Sequence, residues 1–290
     1  MTNTVAVIGG SGIYGLPELQ EASFEDVRTP FGAPSAAVLR GKLNGVPLLF
    51  LARHGKHHSV TPSEINVRAN IYALKSLGAS FLVGISAVGS LREELRPGDV
   101  VIPDQLIDRT RGRDSTFFGQ GCVAHISFAE PFCPVVRSAL LKVCADLAVK
   151  AKFTVHAAGT YVCMEGPAFS TRAESQLYRS WGASLIGMTA LPEAKLAREA
   201  EIAYGIMAMV TDYDCWKEDE QAVDVSKIIA LLSQNAEKAA MILKGVVPVL
   251  AGSRPSELAA QALRNALVTR PEHMPEETRE RLRPILARYL

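Results

Sequence analysis

Two aspartates, Asp212 and Asp214, follow an apolar segment at residues 206–210 and are separated by one residue. Where the chain stays extended, side chains two positions apart point to the same side, so both carboxyl groups can face one ligand. Two nearby carboxyl groups in a partly apolar pocket raise the pKa of one of them, which then serves as a general acid. Paired acids after a strand are also typical of a helix cap or a solvated turn, and the pair alone does not separate these interpretations.

Polar residues that suit an anion follow four other apolar segments. Ser11 lies in a glycine-rich turn whose exposed amides, with the hydroxyl group, can bind one phosphate. Arg53 offers a planar fork of donors and His54 a further donor. Residues 86–90 supply a hydroxyl group and successive amides, and Thr189 precedes a predicted helix start, which favours an anion. Each segment also fits an ordinary turn or loop, but together they predict an anion site where strand ends meet.

The glycine-rich turn has the spacing of a dinucleotide-binding fingerprint, with Gly10, Gly12 and Gly15 straight after an apolar segment. Pro17, however, stands where the helix of such a motif should be established, and no second strand ending in an acidic residue follows at the required distance. The sequence therefore disfavours a nicotinamide-dependent dehydrogenase and leaves the turn with the narrower role of binding one phosphate.

The bulk composition argues against several function classes. The chain has 31 basic and 30 acidic residues among 290, so no overall field favours nucleic acid or an anionic membrane. Its five cysteines are odd in number and widely spaced, which indicates reduced thiols in a cytosolic protein and no metal site. The N-terminus lacks a basic region before its short apolar run, so neither a signal peptide nor a spanning helix is expected.

Short apolar runs predict the buried strands that position these side chains, at residues 5–8, 47–52, 81–85, 99–102, 161–164, 185–188 and 206–210. Helical patterns lie between several of them, at residues 61–78, from near residue 192, and at about residues 225–243. This alternation predicts an α/β fold with a mixed sheet. We expect a catalytic domain at residues 1–250 and a helical tail at residues 251–290, with helices around residues 258–267 and 275–290, packing on its own or a neighbouring subunit.

Eight motifs, spread in order over residues 5 to about 245, resemble those of the trimeric purine nucleoside phosphorylase family. They are Gly9-Gly10-Ser11-Gly12, Thr29-Pro30-Phe31-Gly32, Leu51-Ala52-Arg53-His54-Gly55, Ala87-Val88-Gly89-Ser90-Leu91-Arg92, His125 through Glu130-Pro131-Phe132-Cys133, Glu165-Gly166-Pro167-Ala168-Phe169-Ser170, Gly187-Met188-Thr189 and Thr211-Asp212-Tyr213-Asp214-Cys215-Trp216. The resemblance implies a single α/β domain with a central mixed, twisted, partly barrel-like sheet flanked by helices. It also implies a homotrimeric pentosyltransferase that uses inorganic phosphate as co-substrate, without a cofactor or metal.

Within this family the chain is most similar to the branch that cleaves 5′-methylthioadenosine to adenine and 5-methylthioribose 1-phosphate, in purine and methionine salvage. Adenine presents an N6 donor and an N7 acceptor on one edge, so an ionised and a protonated carboxyl group match it together. The resemblance assigns Asp212 as the acid at N7 and Asp214 as the partner at N6. The alternatives are a broader phosphorylase that accepts adenosine, a methylthioinosine phosphorylase, and a purine-binding subunit without turnover.

The resemblance also assigns the other site residues. It implies that phosphate is held by Ser11, Arg53, His54, Ser86, Ala87 and Thr189. It places Phe169 against the base, Ser170 at the adenine-specific position and Met188 against the ribose. Val225 and Ile229 would contact the 5′ group, and His125 would contact the substrate of a neighbouring subunit. By spacing alone, Val225 and Ile229 equally fit a plain helix core. The chain departs from the family at Ser11, where Thr is usual, and at Ala168, where Arg is usual.

Overall fold

The computed structural model describes residues 2–10, 18–217 and 225–290, without the side chains of residues 225–230, 232 and 233. Eleven strands in this part of the chain form one mixed sheet. They are β1 (Thr4–Gly9), β2 (Leu19–Glu25), β3 (Val38–Leu43), β4 (Val46–Ala52), β5 (Ala79–Ser90), β6 (Val100–Val101), β7 (Gln105–Arg109), β8 (Val155–His156), β9 (Thr160–Met164), β10 (Leu185–Gly187) and β11 (Ala203–Asp212).

Strand β5, with 12 residues, is the centre of this sheet. The strand order is β2-β3-β4-β1-β5-β10-β9-β7, while β11 pairs with β5 and β6, and β6 pairs with β8. Strands β4, β1, β5 and β11 are parallel neighbours, and β10 runs antiparallel to the end of β5. The predicted α/β fold with a mixed sheet is confirmed, and the described strands leave the sheet open, so it does not close into a barrel.

Helices cover both faces of the sheet; in the described ranges they are α1 (Val67–Ser76), α2 (Pro134–Ala151), α3 (Arg172–Ser180), α4 (Glu193–Glu199), α5 (Val225–Ala251), α6 (Glu257–Ala260), α7 (Glu276–Arg281) and α8 (Arg283–Leu286). Alternate residues of β1 enter opposite layers. Ala6 and Ile8 pack with buried residues of α1 and α4, whereas Val5 and Val7 pack with those of α2 and α5. Because both faces are buried, the strand is apolar at every position from Val5 to Ile8.

All seven predicted strands are confirmed, although their lengths differ from the expected ones. The unbroken apolar runs marked the strands buried on both faces. Strands β2, β3, β7 and β8 were not predicted, because they carry polar residues or are very short; β2, for example, is exposed along most of its length.

Several helices begin or end at other residues than the sequence predicts. The helix expected from Thr61 begins at Val67, because Asn66 is the residue that caps it, accepting from the amide of Ala69 at 3.1 Å. The Glu64 carboxylate accepts from the amide and the hydroxyl of Thr61 at 3.0 and 2.7 Å, which is half of a capping box, but around a separate turn. The helix expected near residue 192 is confirmed as α4, α5 extends beyond its expected end, and α2 and α3 were not predicted.

The C-terminal segment, residues 251–290, packs on its own chain. Leu263, Leu282 and Ile285 are buried in the same apolar cluster as Ala6, and the amide of Val268 donates to the carbonyl of residue 123 at 2.8 Å. The helix expected at residues 258–267 is limited to α6, and the one expected at residues 275–290 is divided into α7 and α8. This division coincides with Pro284, which cannot donate a helical hydrogen bond.

Among the helices that the structure describes, none is both long enough and apolar enough to cross a membrane.

Candidate active site

The carboxyl ends of the parallel strands β4, β1, β5 and β11 lie along one edge of the sheet. Arg53 directly follows β4, and its amide donates to the carbonyl of Gly9, at the end of β1, at 2.9 Å. Ser86 lies in the last part of β5, and Asp212 ends β11. Ligands of α/β proteins bind at this kind of edge, so these side chains share a location that suits a small molecule.

The Arg53 guanidinium is buried and held in one orientation. Its Nε and Nη2 donate to the two carboxylate oxygens of Glu193 at 2.8 and 3.0 Å. Nη2 also donates to the carbonyl of Ile8 at 3.3 Å, and Nη1 donates to that of Ile85 at 2.9 Å. Burial lowers the pKa of Arg53, but the Glu193 carboxylate outweighs it and the net pKa is raised. Among the described residues, these bonds use four of the five N–H groups of the guanidinium, so one N–H group is left for a ligand.

The His54 ring is neutral and has one nitrogen available. Its Nδ1 lies 2.9 Å from the carbonyl of Val60, which only accepts, so Nδ1 carries the hydrogen. Burial first, and then the charge of Arg53, lower the pKa of His54 to about 4. Nε2 of the neutral ring is therefore an acceptor, which suits a protonated phosphate oxygen. The sequence predicted that His54 donates to the anion, but its N–H group, at Nδ1, donates to the carbonyl of Val60 instead.

Three hydroxyl groups meet near the end of β5. Ser86 Oγ lies 3.0 Å from Tyr161 Oη and 3.1 Å from Thr189 Oγ1. Ser86 and Tyr161 are buried, whereas Ala87, the next residue of the strand, is exposed. Solvent therefore reaches the strand beside this hydroxyl cluster, where an anion can accept hydrogen bonds.

The two aspartates of the predicted pair lie at the end of β11: Asp212 is its last residue and Asp214 lies in the turn that follows. Asp212 Oδ2 accepts from the Thr211 hydroxyl at 2.7 Å, and Oδ1 accepts from the amide of Asp214 at 2.8 Å. Burial raises the pKa of Asp214, and the charge of Asp212 adds to this effect. Asp214 is therefore a carboxyl group that keeps its proton to a higher pH than an exposed aspartate does.

Strand β5 carries both groups of side chains. A Cβ added at Gly89 would lie 3.0 Å from Oδ1 of Asp212 and 3.4 Å from Cβ of Asp214, so the carboxyl pair packs directly on the strand there. Ser86, in the hydroxyl cluster, is three residues earlier, or about 10 Å along the strand. The central strand thus holds the hydroxyl cluster and the carboxyl pair at a fixed separation.

The segment after β9 lies between these two groups. A Cβ added at Gly166 would collide with the Met188 thioether, so this segment packs against Met188. The carbonyl of Ser170 accepts from the thiol of Cys215, next to Asp214, at 3.2 Å. The Phe169 side chain is 52% exposed, which leaves its ring available to cover a planar ligand.

Arg113, which the sequence did not single out, joins the segments around the site. Its Nη1 donates to the carbonyls of Met188 and Leu191 at 2.7 and 2.9 Å, and its Nε donates to the Glu165 carboxylate at 3.0 Å. The side chain is only 6% exposed. It belongs to no recognisable motif, because its partners lie more than fifty positions away in the sequence.

Three further buried polar residues also escaped sequence reasoning: Tyr161, Glu193 and Tyr204. Glu193 accepts from the Tyr204 hydroxyl at 2.9 Å as well as from Arg53. A signal did exist, because Tyr161 and Tyr204 place a hydroxyl group within runs of buried apolar residues, and a buried hydroxyl requires a partner.

One predicted site residue has no described contact with this edge, and three others cannot be located from what the structure describes. His125 lies in the loop before α2, its amide donates to the carbonyl of Ala266 at 2.9 Å, and no described contact joins its ring to the site. Ser11 and the side chains of Val225 and Ile229 fall outside the described residues. The remaining predicted residues are brought together.

The arrangement can bind an anion at the hydroxyl cluster and exchange a proton with a ligand at the carboxyl pair. Within residues 2–10, 18–217 and 225–290, no group of three or more His, Cys, Asp or Glu side chains is placed to hold a metal ion.

Comparison with known proteins identifies the family of this chain. Residues 4–248 match the sequence model of the phosphorylase superfamily. An S-methyl-5′-thioadenosine phosphorylase of Thermosynechococcus vestitus is 53% identical, over the full length of both chains. The crystal structure of a methylthioadenosine phosphorylase from an antarctic soil metagenomic library has 51% identity, covers 98% of this chain and 99% of its own, and superposes with a TM-score of 0.94.

A methylthioadenosine phosphorylase from Schistosoma mansoni, solved in complex with adenine, is more distant at 35% identity. It covers 91% of this chain and 99% of its own, with a TM-score of 0.83. The chain therefore belongs to the phosphorylase superfamily, and within it to the group of the S-methyl-5′-thioadenosine phosphorylases.

Proposed function

We propose that this chain catalyses the phosphorolysis of S-methyl-5′-thioadenosine to adenine and 5-methylthioribose 1-phosphate, as a pentosyltransferase that needs inorganic phosphate and no other cofactor. One observation carries the proposal: Ala87, exposed beside the hydroxyl cluster, and Gly89, beneath the carboxyl pair, lie two residues apart on β5 and therefore on the same face. A separation of about 7 Å along the strand leaves room for a pentose between a phosphate and a purine. The activity in the names of the relatives supports this substrate.

The phosphate step follows from the polar groups at the strand ends. A phosphate oxygen attacks C1′ of the sugar, the C1′–N9 bond breaks, and its electron pair moves onto the purine. The anion stabilises the oxocarbenium-like sugar carbon, and holding it beside C1′ supplies much of the rate. The proposed ligands are Ser11, Arg53, His54, Ser86, Ala87 and Thr189, with His54 Nε2 accepting from a phosphate O–H group.

The carboxyl pair supplies the proton that the leaving purine needs. Asp212 is assigned to N7 and Asp214 to N6 by family resemblance. Burial raises the pKa of Asp214. This supports the proposal that, in the free enzyme, the proton of the pair is bound to Asp214. We therefore propose that the pair shares one proton, which rests on Asp214 before binding and reaches N7 from Asp212 in the complex.

The same pair selects the base. A 6-oxopurine would direct its O6 acceptor at the carboxylate that accepts from N6 of adenine. An unmatched buried polar group costs about 1–3 kcal/mol, so methylthioinosine should be a poor substrate. Adenosine has the same base, so its acceptance depends on the 5′ pocket and the proposed contacts of Val225 and Ile229.

The 5′ pocket is proposed to be completed by a neighbouring subunit in a homotrimer. His125 does not contact the described site of its own chain. It lies beside Val123 and Val268, which are 43% and 63% exposed and are joined by a backbone hydrogen bond of 2.8 Å. A neighbour's site would cover this apolar surface and receive His125, with residues 251–290 supporting it.

We place the reaction in the cytosol. All five cysteines are unpaired and four of them are buried, which supports a reducing compartment.

The test is phosphate-dependent release of adenine from S-methyl-5′-thioadenosine, followed by absorbance, with adenosine and methylthioinosine as competing substrates. We expect release only with phosphate present, and preference for the adenine nucleosides. Release without phosphate would indicate a hydrolase, and no release with phosphate present would reject the enzyme hypothesis.

A further inference from the structure

The Tyr161 phenol is a buried polar group to which no family motif assigns a role. It is 0% exposed and lies 3.0 Å from Ser86 Oγ. Among the described residues, it forms no hydrogen bond to a carbonyl or a carboxylate. Its hydrogen is therefore directed to a hydroxyl oxygen of the cluster. Burial raises the pKa of Tyr161, so the phenol keeps this hydrogen to a higher pH than an exposed tyrosine does.

We propose that Tyr161 is a positioning residue for phosphate: it donates to Ser86 Oγ and thereby directs the hydroxyl hydrogen of Thr189 toward the anion. This inference rests on the proposed function and specifies how its phosphate site works. Phosphate oxygens at this site can only accept from these hydroxyl groups, so each hydrogen that turns inward is lost to the ligand.

Each hydroxyl group of the cluster has one hydrogen to donate. Ser86 Oγ and Thr189 Oγ1 are 3.1 Å apart, close enough for one to donate to the other. Ser86 Oγ also donates to the carbonyl of Ala87 at 3.2 Å. When Tyr161 donates to Ser86, the Thr189 hydroxyl therefore keeps its hydrogen for the anion. Without the phenol, Ser86 Oγ is an unfilled acceptor, and Thr189 turns inward to donate to it. Phosphate then loses one charge-assisted hydrogen bond.

The backbone is adapted to this arrangement. A Cβ at Gly187 would collide with the Tyr161 hydroxyl, so only glycine leaves room for the phenol at this point of β10. Gly187 pairs with Cys163 in the parallel β9, and Thr189 follows two residues later. The glycine thus brings the phenol and the Thr189 hydroxyl to the same side of Ser86.

The experiment compares Tyr161→Phe with the full-length wild type. We expect a roughly tenfold higher KM for phosphate, because a lost hydrogen bond of about 1.4 kcal/mol changes affinity tenfold. The KM for S-methyl-5′-thioadenosine should change less than about twofold. The matched control is Tyr72→Phe, which removes a hydroxyl from a buried tyrosine of α1 away from the site and should leave both constants unchanged.

A double-mutant cycle separates positioning from general loosening. If Tyr161 acts through Ser86, Tyr161→Phe should change the KM for phosphate by less than about threefold in a Ser86→Ala background. Equal tenfold effects in both backgrounds would overturn the inference, as would a KM for phosphate that Tyr161→Phe leaves unchanged. Equal increases in both KM values would indicate a structural role and also overturn it.

Calorimetric titration with inorganic phosphate gives a readout that does not depend on turnover. Weaker binding by Tyr161→Phe than by wild type and Tyr72→Phe would support the inference. A wild type that binds phosphate but releases no adenine would reject the proposed function while leaving this test intact, and equal binding by all three proteins would reject the inference alone.

Discussion

The backbone amide of Asp214 donates to Oδ1 of Asp212 at 2.8 Å, which fixes the two acidic residues in one turn at the end of β11. Such a bond is common where an aspartate forms a solvated turn. Here the turn packs on Gly89 of the central strand, and Asp214 has the left-handed φ of 53° that returns the chain toward it. Placement on β5, rather than the pair itself, makes these carboxyl groups available to a ligand.

The first prediction concerns the two aspartates. Asp212→Asn and Asp214→Asn should each lower kcat/KM for S-methyl-5′-thioadenosine by about 10²–10⁴, the range typical of a lost general acid. The exposed Asp26→Asn is the matched control and should have no effect. Steady-state kinetics at saturating phosphate measure this, and small, equal losses would remove the pair from the chemistry.

The second prediction is a pH dependence. A general acid acts while protonated, so kcat/KM should fall as pH rises through the pKa of the acid. Because burial raises the pKa of Asp214, this fall should lie above the range of an exposed aspartate. Asp214→Asn should remove that limb of the profile measured between pH 4 and 9. An unchanged limb in the variant would show that another group titrates.

The third prediction uses the contact between Gly89 and Asp212. Gly89→Ala would place a Cβ 3.0 Å from both Asp212 Oδ1 and a methyl group of Ile186, so the carboxyl pair must shift. We expect the KM for the nucleoside to rise about tenfold or more while that for phosphate changes little. Gly252→Ala, whose Cβ would meet only ordinary contacts, is the control. Parallel increases in both constants would contradict a separate base site.

The fourth prediction concerns the ion pair between Arg53 and Glu193, whose side chains are 3% and 2% exposed. Glu193→Gln leaves the Arg53 charge buried without its counter-ion, which should lower the free energy of unfolding by about 3–5 kcal/mol. Glu25→Gln breaks an exposed pair with Arg40 and should change it by less than about 1 kcal/mol. Urea denaturation measures both. Similar small losses would mean that burial does not control the strength of the Arg53 pair.

The fifth prediction concerns Glu199, which accepts from the hydroxyl of Thr116 and the amide of Phe117, both at 2.7 Å. Burial raises its pKa from 4.5 to about 7. A raised carboxyl pKa means that the folded state binds the proton more tightly. The stabilisation is therefore complete below about pH 4.5 and lost as pH rises through about 7.

The measurement for Glu199 is the difference in unfolding free energy between wild type and Glu199→Gln. The advantage of wild type should decrease by about 1–3 kcal/mol between pH 5 and 8. A difference that does not change with pH would mean that Glu199 titrates normally.

Sequence reasoning located the strands that are buried on both faces, because their apolar runs are continuous. It could not locate β2, whose residues are mostly exposed, or the true start of α1, because Asn66 is fixed by its bond to the carbonyl of Phe31, 35 positions away. It located Arg53, Ser86 and Asp212 because each follows or ends such a run.

The partners of these residues were beyond reach from the sequence. Glu193 is separated from Arg53 by 140 positions and Tyr161 from Ser86 by 75, so neither pairing leaves a local pattern. The protonation of His54 likewise depends on Val60 and on burial, which only the fold defines.

In the proposed reaction, one site joins phosphate to the sugar as it releases adenine. Its most direct test is phosphorus NMR of the wild-type reaction with S-methyl-5′-thioadenosine and inorganic phosphate, with adenine measured in parallel. We predict a sugar 1-phosphate resonance that grows in equimolar amount with free adenine. Adenine released without a new phosphate ester, or the appearance of neither product, would show that this chain does not catalyse the proposed reaction.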